Sequence, residues 1–323
     1  MKTAVIMLAG GLRSGSLRSQ LGFPTAGMPL ERDRTLLQAW LELITSTPAL
    51  DDSAMLIACN SEKDRAWFAA ETRRFAAIDR CPRVVVDPNP HRGVAGMLLD
   101  LRSEASGATS LVVVELNSLP PSGLGPLLTE SPPVETMPSM RIGVGPEARW
   151  TGVYRLDAEL LDHVTSRGYV DLKEQFIPQL LARGYRIDAA DFADTPVQIS
   201  DRRDYLRAVR IWRSRVGLAA EQSNEVSGFS VVCPGVDVRS GAHIADSAIL
   251  PGAVLGEGAV VARSIIGPMI HVPEGSVIVD ALLADPSAVF AAIDGRVGAA
   301  SERLGANSPP NMVANPMPWS IQS

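Results

Sequence analysis

The feature that most constrains the fold is an aliphatic residue that recurs at every sixth position near the C-terminus. The recurring positions are Val236, Ala242, Ala248, Val254, Val260, Ile266, Val272 and Ile278. Glycine and serine punctuate the intervening segments, at Gly235, Gly241, Gly252, Gly258, Ser264 and Ser276. This period fits neither an α-helix nor a simple strand, but is typical of a triangular coil whose sides are hexapeptides with inward aliphatic residues. We predict a short left-handed β-helix over residues 229–284; the alternative is an antiparallel sheet with turns.

The N-terminal two thirds of the chain alternates short apolar runs with helix-length segments. The runs predicted as strands buried on both faces are 3–9, 54–59, 83–86 and 111–114. The helices predicted between them are 35–44, 62–77 and 95–105. This alternation predicts an α/β domain over residues 1–218, with a Rossmann-like, mostly parallel sheet and helices on both faces. Ligands bind such sheets at the carboxyl ends of the strands.

The remaining segments connect or extend these two parts. We predict a strand over 150–155 and helices over 157–164, 171–183 and 201–215. The last helix carries six arginines and is either a solvated, domain-bridging helix or part of an anion or partner site. The polar segment 219–228 is predicted as a linker. Residues 285–323 are predicted as a short helix over 287–293 and a flexible tail, because proline and asparagine disfavour regular structure there.

Charge and cysteine usage exclude several classes of function. The net charge of −6 argues against a general affinity for nucleic acid or for an anionic membrane surface. The cysteines Cys59, Cys81 and Cys233 are far apart and fit no metal-ligand spacing, which indicates reduced thiols. No apolar stretch reaches membrane-spanning length. We therefore expect a cytoplasmic protein.

A glycine-rich segment directly after the first predicted strand carries the strongest resemblance to a known family. The sequence LAGGLRSGSLRSQLGFPT over 8–25, followed by AGMPL, is similar to the LAGGxGTRLxPLTxxxPK signature of sugar-nucleotide pyrophosphorylases, and Pro24 keeps its spacing. Residues 93–96 (GVAG) resemble the family's Gly-Thr-Ala-Gly turn, and 111–119 resemble its strand ending in Gly-Asp. Residues 151–154 and 197–206 resemble two further segments in the expected order. We interpret the chain as a divergent member of this family.

The resemblance implies a nucleotide site built from two glycine-rich turns, where backbone N–H groups approach a phosphate or a base. The residues it assigns to nucleotide binding are Ala9, Gly10, Gly11, Arg13, Ser14, Gly93, Ala95 and Gly96. An active member would also use Mg²⁺. The segment between Asn117 and Thr151 is shorter than in the family, so we expect a reduced or remodelled pocket for the acceptor sugar.

The charged positions of the family depart from its pattern in this chain. Gly15 stands for the arginine that grips pyrophosphate, Thr25 for a lysine, and Asn117 and Gln198 for two metal-binding aspartates. Nucleotidyl transfer depends on positioning and on neutralising charge with a metal and basic side chains. Arg13 and Arg18 lie close enough in sequence to replace the missing basic residues, and they are the catalytic candidates. The candidate metal ligands are Asn117, Gln198 and Glu115.

These departures favour a protein that binds a nucleotide or nucleotide sugar but is catalytically impaired, with a regulatory or assembly role. The alternative is an active NTP:sugar-1-phosphate nucleotidyltransferase with a rebuilt site and bound Mg²⁺. A minor alternative is a hexapeptide acyltransferase that uses His243 or His271 of the β-helix. We also expect a homo-oligomer formed through the β-helix or an assembly with a related active subunit, and neither a nucleic-acid nor a membrane partner.

Overall fold

The computed structural model describes most of the chain up to the end of the β-helix. The described residues are 2–9, 17–74, 80–89, 91–105, 107–129, 137–223 and 225–285. The predicted loop residues Gly10, Gly11, Arg13 and Ser14 lie outside them. So do the helix predicted over 287–293 and the tail that follows it.

The α/β part contains nine strands and seven α-helices among the described residues. The strands are β1 (Thr3–Leu8), β2 (Pro29–Glu31), β3 (Arg34–Thr35), β4 (Ala54–Cys59), β5 (Arg83–Val86), β6 (Ser110–Glu115), β7 (Ser139–Gly145), β8 (Arg149–Asp157) and β9 (Arg186–Asp191). The helices are α1 (Leu17–Leu21), α2 (Leu36–Thr45), α3 (Glu62–Arg74), α4 (Gly93–Asp100), α5 (Gly125–Leu128), α6 (Ile177–Ala182) and α7 (Arg202–Arg215). Shorter 3₁₀ turns occur at Thr25–Gly27, Pro48–Leu50, Arg102–Ala105, Pro146–Ala148 and Ala158–His163, and a π turn at Leu172–Phe176.

Seven of these strands form one sheet in the order β5-β4-β1-β6-β8-β7-β9. Six run in the same direction, and β8 runs opposite to them, because it pairs antiparallel with both β6 and β7. The predicted mostly parallel sheet is therefore confirmed. Since β8 is reversed, its first residues lie beside the carboxyl ends of β1 and β6, at the edge where ligands bind in parallel sheets.

Both faces of the sheet are buried. Along β1, Val5 and Met7 face a core shared with α2, α3 and α7, while Ile6 and Leu8 face a second core shared with α4 and α6. Because successive strand residues point to opposite faces, burial on both sides requires an unbroken apolar run. This explains the sequence of β1, whose residues 4–8 are all buried.

Two predicted helices of the α/β part take other forms. The segment predicted as a helix over 157–164 is a 3₁₀ helix, Ala158–His163. The segment predicted over 171–183 is divided into the π turn Leu172–Phe176 and α6. Pro178 lies in the first turn of α6 and has no amide hydrogen, so it cannot extend a continuous α-helical ladder.

The C-terminal part consists of short strands stacked in parallel on three sides, as a β-helix requires. The stacked strands are Val226–Gly228, Val231–Val232, Asp237–Val238, His243–Ala245, Ala248–Ile249, Val254–Leu255, Val260–Ala262, Ile265–Ile266, His271–Val272, Val277–Val279 and Leu282–Leu283. A further strand, Glu221–Gln222, pairs antiparallel with Val226–Gly228. Val226–Gly228 pairs in parallel with His243–Ala245. The β-helix thus begins inside the segment that we predicted as a linker.

The predicted inward register is wrong at three positions, Ala248, Val254 and Val260. Ile244 stacks on Val261 and Val261 on Ile278, so each of these coils advances by 17 residues. One side of each coil has five residues rather than six, and a strict count of six therefore moves out of phase. Val254 and Val260 lie outside the buried interior, which their neighbours Leu255 and Val261 occupy. Ala248 is buried as well, but in the core shared with the α/β part.

The five-residue side turns through a stacked corner. Asp246, Arg263 and Asp280 occupy successive layers in the left-handed region, with φ of 46°, 47° and 53°. A buried serine follows in two layers: the Ser247 hydroxyl accepts from the amide of Ser264, and the Ser264 hydroxyl accepts from the amide of Ala281, each at 3.0 Å. This ladder satisfies amides that the tight corner removes from the strand pairing.

One side of the β-helix packs against the α/β part. Its outward residues Val231, Ala248 and Ile265 belong to the same buried cluster as Tyr205 and Trp212 of α7. This side is therefore apolar on both faces, which accounts for the paired apolar residues at 231–232, 248–249, 265–266 and 282–283. The predicted packing of the two parts is confirmed.

Candidate functional site

Glu115, the last residue of β6, is at the centre of the candidate site. Its side chain lies on the same face of the sheet as Leu111 and Val113 and is 15% exposed. Oε1 accepts a hydrogen bond from the Trp150 indole at 3.2 Å, and Oε2 accepts one from the amide of Gln198. The Lys173 ammonium lies 3.9 Å from Oε1. The charge of this carboxylate is therefore offset by protein groups.

Lys173 is directed into the site by the π turn that contains it. The Asp171 carboxylate caps this turn and accepts hydrogen bonds from the backbone amides of Lys173 and Glu174 at 2.7 and 2.8 Å. The Lys173 ammonium lies 4.2 Å from the centre of the Trp150 ring, a cation–π geometry. The side chain remains 40% exposed, so the ammonium can still reach a ligand.

Asn117 and Gln198, the positions that stand for the two metal-binding aspartates, lie on adjacent backbone segments. Ser118 and Gln198 form a β-bridge, and the amide of Ile199 donates to the carbonyl of Asn117 at 2.7 Å. The structure therefore brings together the predicted metal trio of Glu115, Asn117 and Gln198. The Gln198 amide is directed at Glu115 and donates a hydrogen bond to it.

Gly152 allows the turn after β6 to approach β8. Its φ is 79°, and a Cβ atom at this position would lie 2.8 Å from Oγ of Ser118 and 3.3 Å from Cβ of Glu115. A larger residue would be strained in this conformation and would displace the turn that carries Asn117. The glycine of the 151–154 motif therefore supports the geometry of the site.

Tyr154 lies behind the site with its side chain fully buried. Its hydroxyl has no hydrogen-bond partner among the described residues, and its ring centre is 5.4 Å from that of Trp150. Burial, reinforced by the charges of Glu115 and Asp171, raises the pKa of Tyr154 well above its ordinary value. The phenol is thus neutral at physiological pH and is a potential hydrogen-bond donor.

The segment predicted as a turn over 93–96 is the first turn of α4, and its close approach is to the chain itself. Gly93 has φ of 73°, and a Cβ atom there would lie 2.5 Å from the carbonyl oxygen of Val170. At Gly96 the space is filled by the side chain of Arg92. Ala95 and Gly96 are buried, whereas Gly93 is half-buried. Of these predicted nucleotide-binding residues, Gly93 is the one that the fold leaves accessible at the edge.

The catalytic candidates are Arg13 and Arg18. Arg13 lies outside the described residues. Arg18 forms a hydrogen-bonded ion pair with Asp64 of α3, and this carboxylate also accepts a hydrogen bond from the Ser61 hydroxyl at 2.7 Å. Both partners are largely buried, so the charge of Arg18 is engaged between α1 and α3. This arrangement favours a structural role for Arg18. Ala9, which follows β1, is half-buried and its amide donates to Ala58.

The donor set at this edge does not fit Mg²⁺. Glu115 supplies the single carboxylate of the predicted trio, and both of its oxygens already face protein donors. Mg²⁺ prefers near-octahedral oxygen coordination with carboxylate charge nearby. No group of three or more His, Cys, Asp or Glu side chains suited to a metal occurs in the described part of the chain.

Three site residues were missed in the sequence analysis: Trp150, Tyr169 and Lys173. Lys173 and Glu115 are far apart in sequence, and no local pattern links them. Trp150 opens the predicted strand 150–155, and it lies at this edge because that strand is reversed in the sheet. Tyr169 is 60% exposed and its ring borders Gly93.

Comparison with known proteins identifies the C-terminal part. Residues 207–297 match the family described as GlmU-like, C-terminal hexapeptide. No curated protein matches the chain. None of the helices in the described ranges is both long and apolar enough to cross a membrane. The matched segment begins within α7 and includes every coil described above. The chain therefore carries a C-terminal hexapeptide-repeat domain, preceded by an α/β domain with a mostly parallel sheet.

Proposed function

We propose that the α/β domain binds a nucleotide or nucleotide sugar at the Glu115 edge of the sheet, without a metal ion and without nucleotidyl transfer. One observation carries the proposal: the Glu115 carboxylate faces the Lys173 ammonium and accepts hydrogen bonds from Gln198 and Trp150. A protein cation therefore stands beside the carboxylate that would otherwise attract a divalent ion. The resemblance of residues 8–25 to the pyrophosphorylase signature supports the ligand class.

The electrostatics of the edge favour binding over turnover. Transfer concentrates negative charge around the α-phosphate and the departing pyrophosphate, and active enzymes meet this charge with metal ions and several cations. Among the described residues that face Glu115, Lys173 is the cation that can contact a phosphate. Thr25 is buried and uncharged, and Arg18 is paired with Asp64. The described residues at this edge can thus hold an anionic ligand, but they supply little charge to stabilise that transition state.

An exposed aromatic ring supports recognition of a base. Tyr169 lies next to Gly93 at the opening of the site, and its ring is within 3.2 Å of the position of a Cβ atom on Gly93. Its hydroxyl is 3.4 Å from the Asp171 carboxylate, which orients the ring. Stacking of a base on an aromatic side chain contributes about 1–3 kcal/mol. We expect the base to stack on the ring of Tyr169.

The experiment that tests the absence of turnover follows pyrophosphate release with several triphosphate and sugar-phosphate pairs. Wild type, Arg13→Ala and Glu115→Gln are compared with a triple variant carrying Asn117→Asp, Gln198→Asp and Thr25→Lys. The proposal expects background rates in the first three proteins and a gain in the triple variant. Robust turnover in wild type that either single substitution abolishes would show instead an active enzyme with a rebuilt site.

A hexapeptide acyltransferase is the second candidate, because the family match lies in the hexapeptide domain. His243 and His271 are both exposed, and they lie on different sides of the β-helix. Each histidine would therefore have to act as a general base without the other. Acetyl transfer from acetyl-coenzyme A to amino sugars, measured in wild type and in His243→Ala and His271→Ala, tests this function. Turnover lost in either variant would favour it.

The hexapeptide domain also supports an assembly role. Domains of this kind commonly associate, and the side of the coil that carries Val277 and Val279 leaves these residues exposed. We expect a homo-oligomer, or a hetero-oligomer with a related active subunit. Light scattering at micromolar concentration measures this directly, and a strictly monomeric mass would contradict self-association.

A further inference from the structure

A positively charged groove of about 340 Å³ lies between α7 and the stacked corner of the β-helix. It is separate from the Glu115 edge. Its cationic lining residues are Arg202, Arg203, Arg207, Arg210 and Arg263. Its anionic lining residues are Asp246 and Asp280, and Leu206 and Phe229 form its apolar wall. Five guanidinium groups thus face two carboxylates.

Three of the arginines are held by the two aspartates. The Asp280 carboxylate accepts hydrogen bonds from Arg263 at 2.7 Å and from Arg202 at 3.2 Å. Asp246 forms an ion pair with Arg210 at 3.6 Å, and the Arg210 guanidinium also lies 5.7 Å from the centre of the Phe229 ring. These contacts fix the positions of three guanidinium groups, and they pair both carboxylates of the groove.

Arg203 and Arg207 are left to face the groove without compensation. They are exposed and lie four residues apart on α7, where like charges repel each other. Neither has an ion-pair or hydrogen-bond partner within the described ranges. The positive charge thus exceeds the negative charge of the groove by three, although the whole chain has a net charge of −6.

We infer that this groove binds a small phosphorylated metabolite carrying at least two negative charges. Guanidinium groups present paired N–H donors that match phosphate oxygens in geometry and charge. The volume is in the range of small-molecule sites rather than of extended macromolecular surfaces. A phosphate between Arg203 and Arg207 relieves their repulsion, and a second one reaches Arg210 or Arg263.

The groove lies where a bound ligand would contact both parts of the chain. One wall belongs to α7 of the α/β part, and the other belongs to the coils of the hexapeptide domain. A bound polyanion contacts both walls and adds a link between the two parts. Because a ligand that binds only the folded state raises its stability, occupancy raises the melting temperature.

Inorganic pyrophosphate is the probe for this site, used with full-length protein in calorimetry and thermal unfolding. The variants are Arg203→Ala with Arg207→Ala, a charge-matched control with Arg73→Ala and Arg74→Ala on α3, and Lys173→Ala at the Glu115 edge. We expect binding that weakens with salt, since charged contacts at the surface are screened. The groove variant should lose at least about tenfold in affinity, about 1.4 kcal/mol.

The Arg73→Ala, Arg74→Ala control variant should retain wild-type affinity for pyrophosphate and the same rise in melting temperature. Equal affinity in wild type and in the groove variant would overturn the inference. Loss confined to Lys173→Ala would do the same, because it would place the phosphate at the Glu115 edge. A poly-glutamate peptide that binds through Arg203 and Arg207 while pyrophosphate does not would identify an acidic-protein surface instead.

Discussion

The ammonium of Lys173 lies 3.9 Å from Oε1 of Glu115, on the face of the sheet where β6 ends and the reversed strand β8 begins. The ammonium is part of the protein, so the positive charge beside the carboxylate does not depend on a bound metal ion. The Trp150 ring beneath the ammonium limits its movement away from Glu115. The candidate site is therefore organised around an internal ion pair, and the account of its function depends on that pair.

The register of the β-helix makes opposite predictions for neighbouring residues. Leu255 and Val261 are fully buried in the coil, so Leu255→Asp and Val261→Asp should each cost several kcal/mol by placing an unpaired charge in the core. Val254→Asp and Val260→Asp, one residue earlier, should cost about 1 kcal/mol or less. Denaturant unfolding measures all four. Equal losses within the pairs would show that the register is wrong.

The β-helix itself was predictable from sequence, but its phase was not. A recurring aliphatic residue indicates a hexapeptide coil, and the six-residue spacing is kept locally from Ile266 to Ile278. The five-residue sides interrupt that spacing, and they are recognisable through a different signal. Apolar pairs recur every 17 residues, at 231–232, 248–249, 265–266 and 282–283. The side of the coil that packs on the α/β part must be apolar on both faces. The spacing of its apolar pairs therefore gives the length of each coil, 17 residues.

The serine ladder at the stacked corner should contribute measurably to stability. The Ser264 hydroxyl is buried, accepts from the amide of Ala281 at 3.0 Å and donates to the carbonyl of Ala262 at 2.7 Å. Ser264→Ala leaves that amide without its acceptor, at a cost of about 1–3 kcal/mol. Ser240→Ala, at an exposed position, is the matched control. Equal unfolding free energies for the two variants would contradict the ladder.

At the candidate site, the contacts of individual side chains could not be predicted from the sequence. Glu115, Asn117 and Gln198 lie near one another because β6 and the segment before α7 meet at one edge of the sheet. The partner of Arg18 could not be read from the sequence, since Asp64 lies on another helix and only packing brings the two together. The same is true of Lys173, which reaches Glu115 through a turn whose π geometry has no simple sequence pattern.

The three cysteines should differ sharply in reactivity. Burial raises the pKa of Cys59 to about 11 and that of Cys233 to about 12, whereas Cys81 is exposed. The thiolate is the reactive form, so a chromogenic disulfide at pH 8 should label one thiol rapidly in the native protein. In the denatured protein, all three thiols should be labelled. Cys81→Ser should abolish the rapid phase; persistence of that phase would show that Cys59 or Cys233 is accessible.

Asp87 should oppose folding at neutral pH. Burial raises the pKa of its carboxyl above the ordinary value, although the amide of Asn89 donates to it at 2.9 Å. Because its pKa is higher in the folded state than in the unfolded state, Asp87 contributes most to the free energy of unfolding at acidic pH. This contribution is lost as the pH rises through the raised pKa. Asp87→Asn keeps the acceptor and removes the charge. It should therefore increase the free energy of unfolding at pH 7, and the gain should shrink below about pH 4.

The control for that substitution is Asp52→Asn, at an exposed position after α2. It should leave the free energy of unfolding nearly unchanged across the same pH range. Urea unfolding at several pH values compares the two variants with wild type. A destabilised Asp87→Asn at pH 7 would mean that the charged carboxylate is favourable where it lies.

The metal independence of the candidate site is tested most directly by calorimetry with nucleoside triphosphates, diphosphates and nucleotide sugars, in Mg²⁺ and in excess chelator. Lys173→Met is compared with wild type, and Lys63→Met on α3 is the control. We predict that at least one ligand binds wild type equally well in both buffers. Lys173→Met should weaken that binding by at least about tenfold, or 1.4 kcal/mol. Binding that appears only with Mg²⁺ and is unchanged in Lys173→Met would contradict the account.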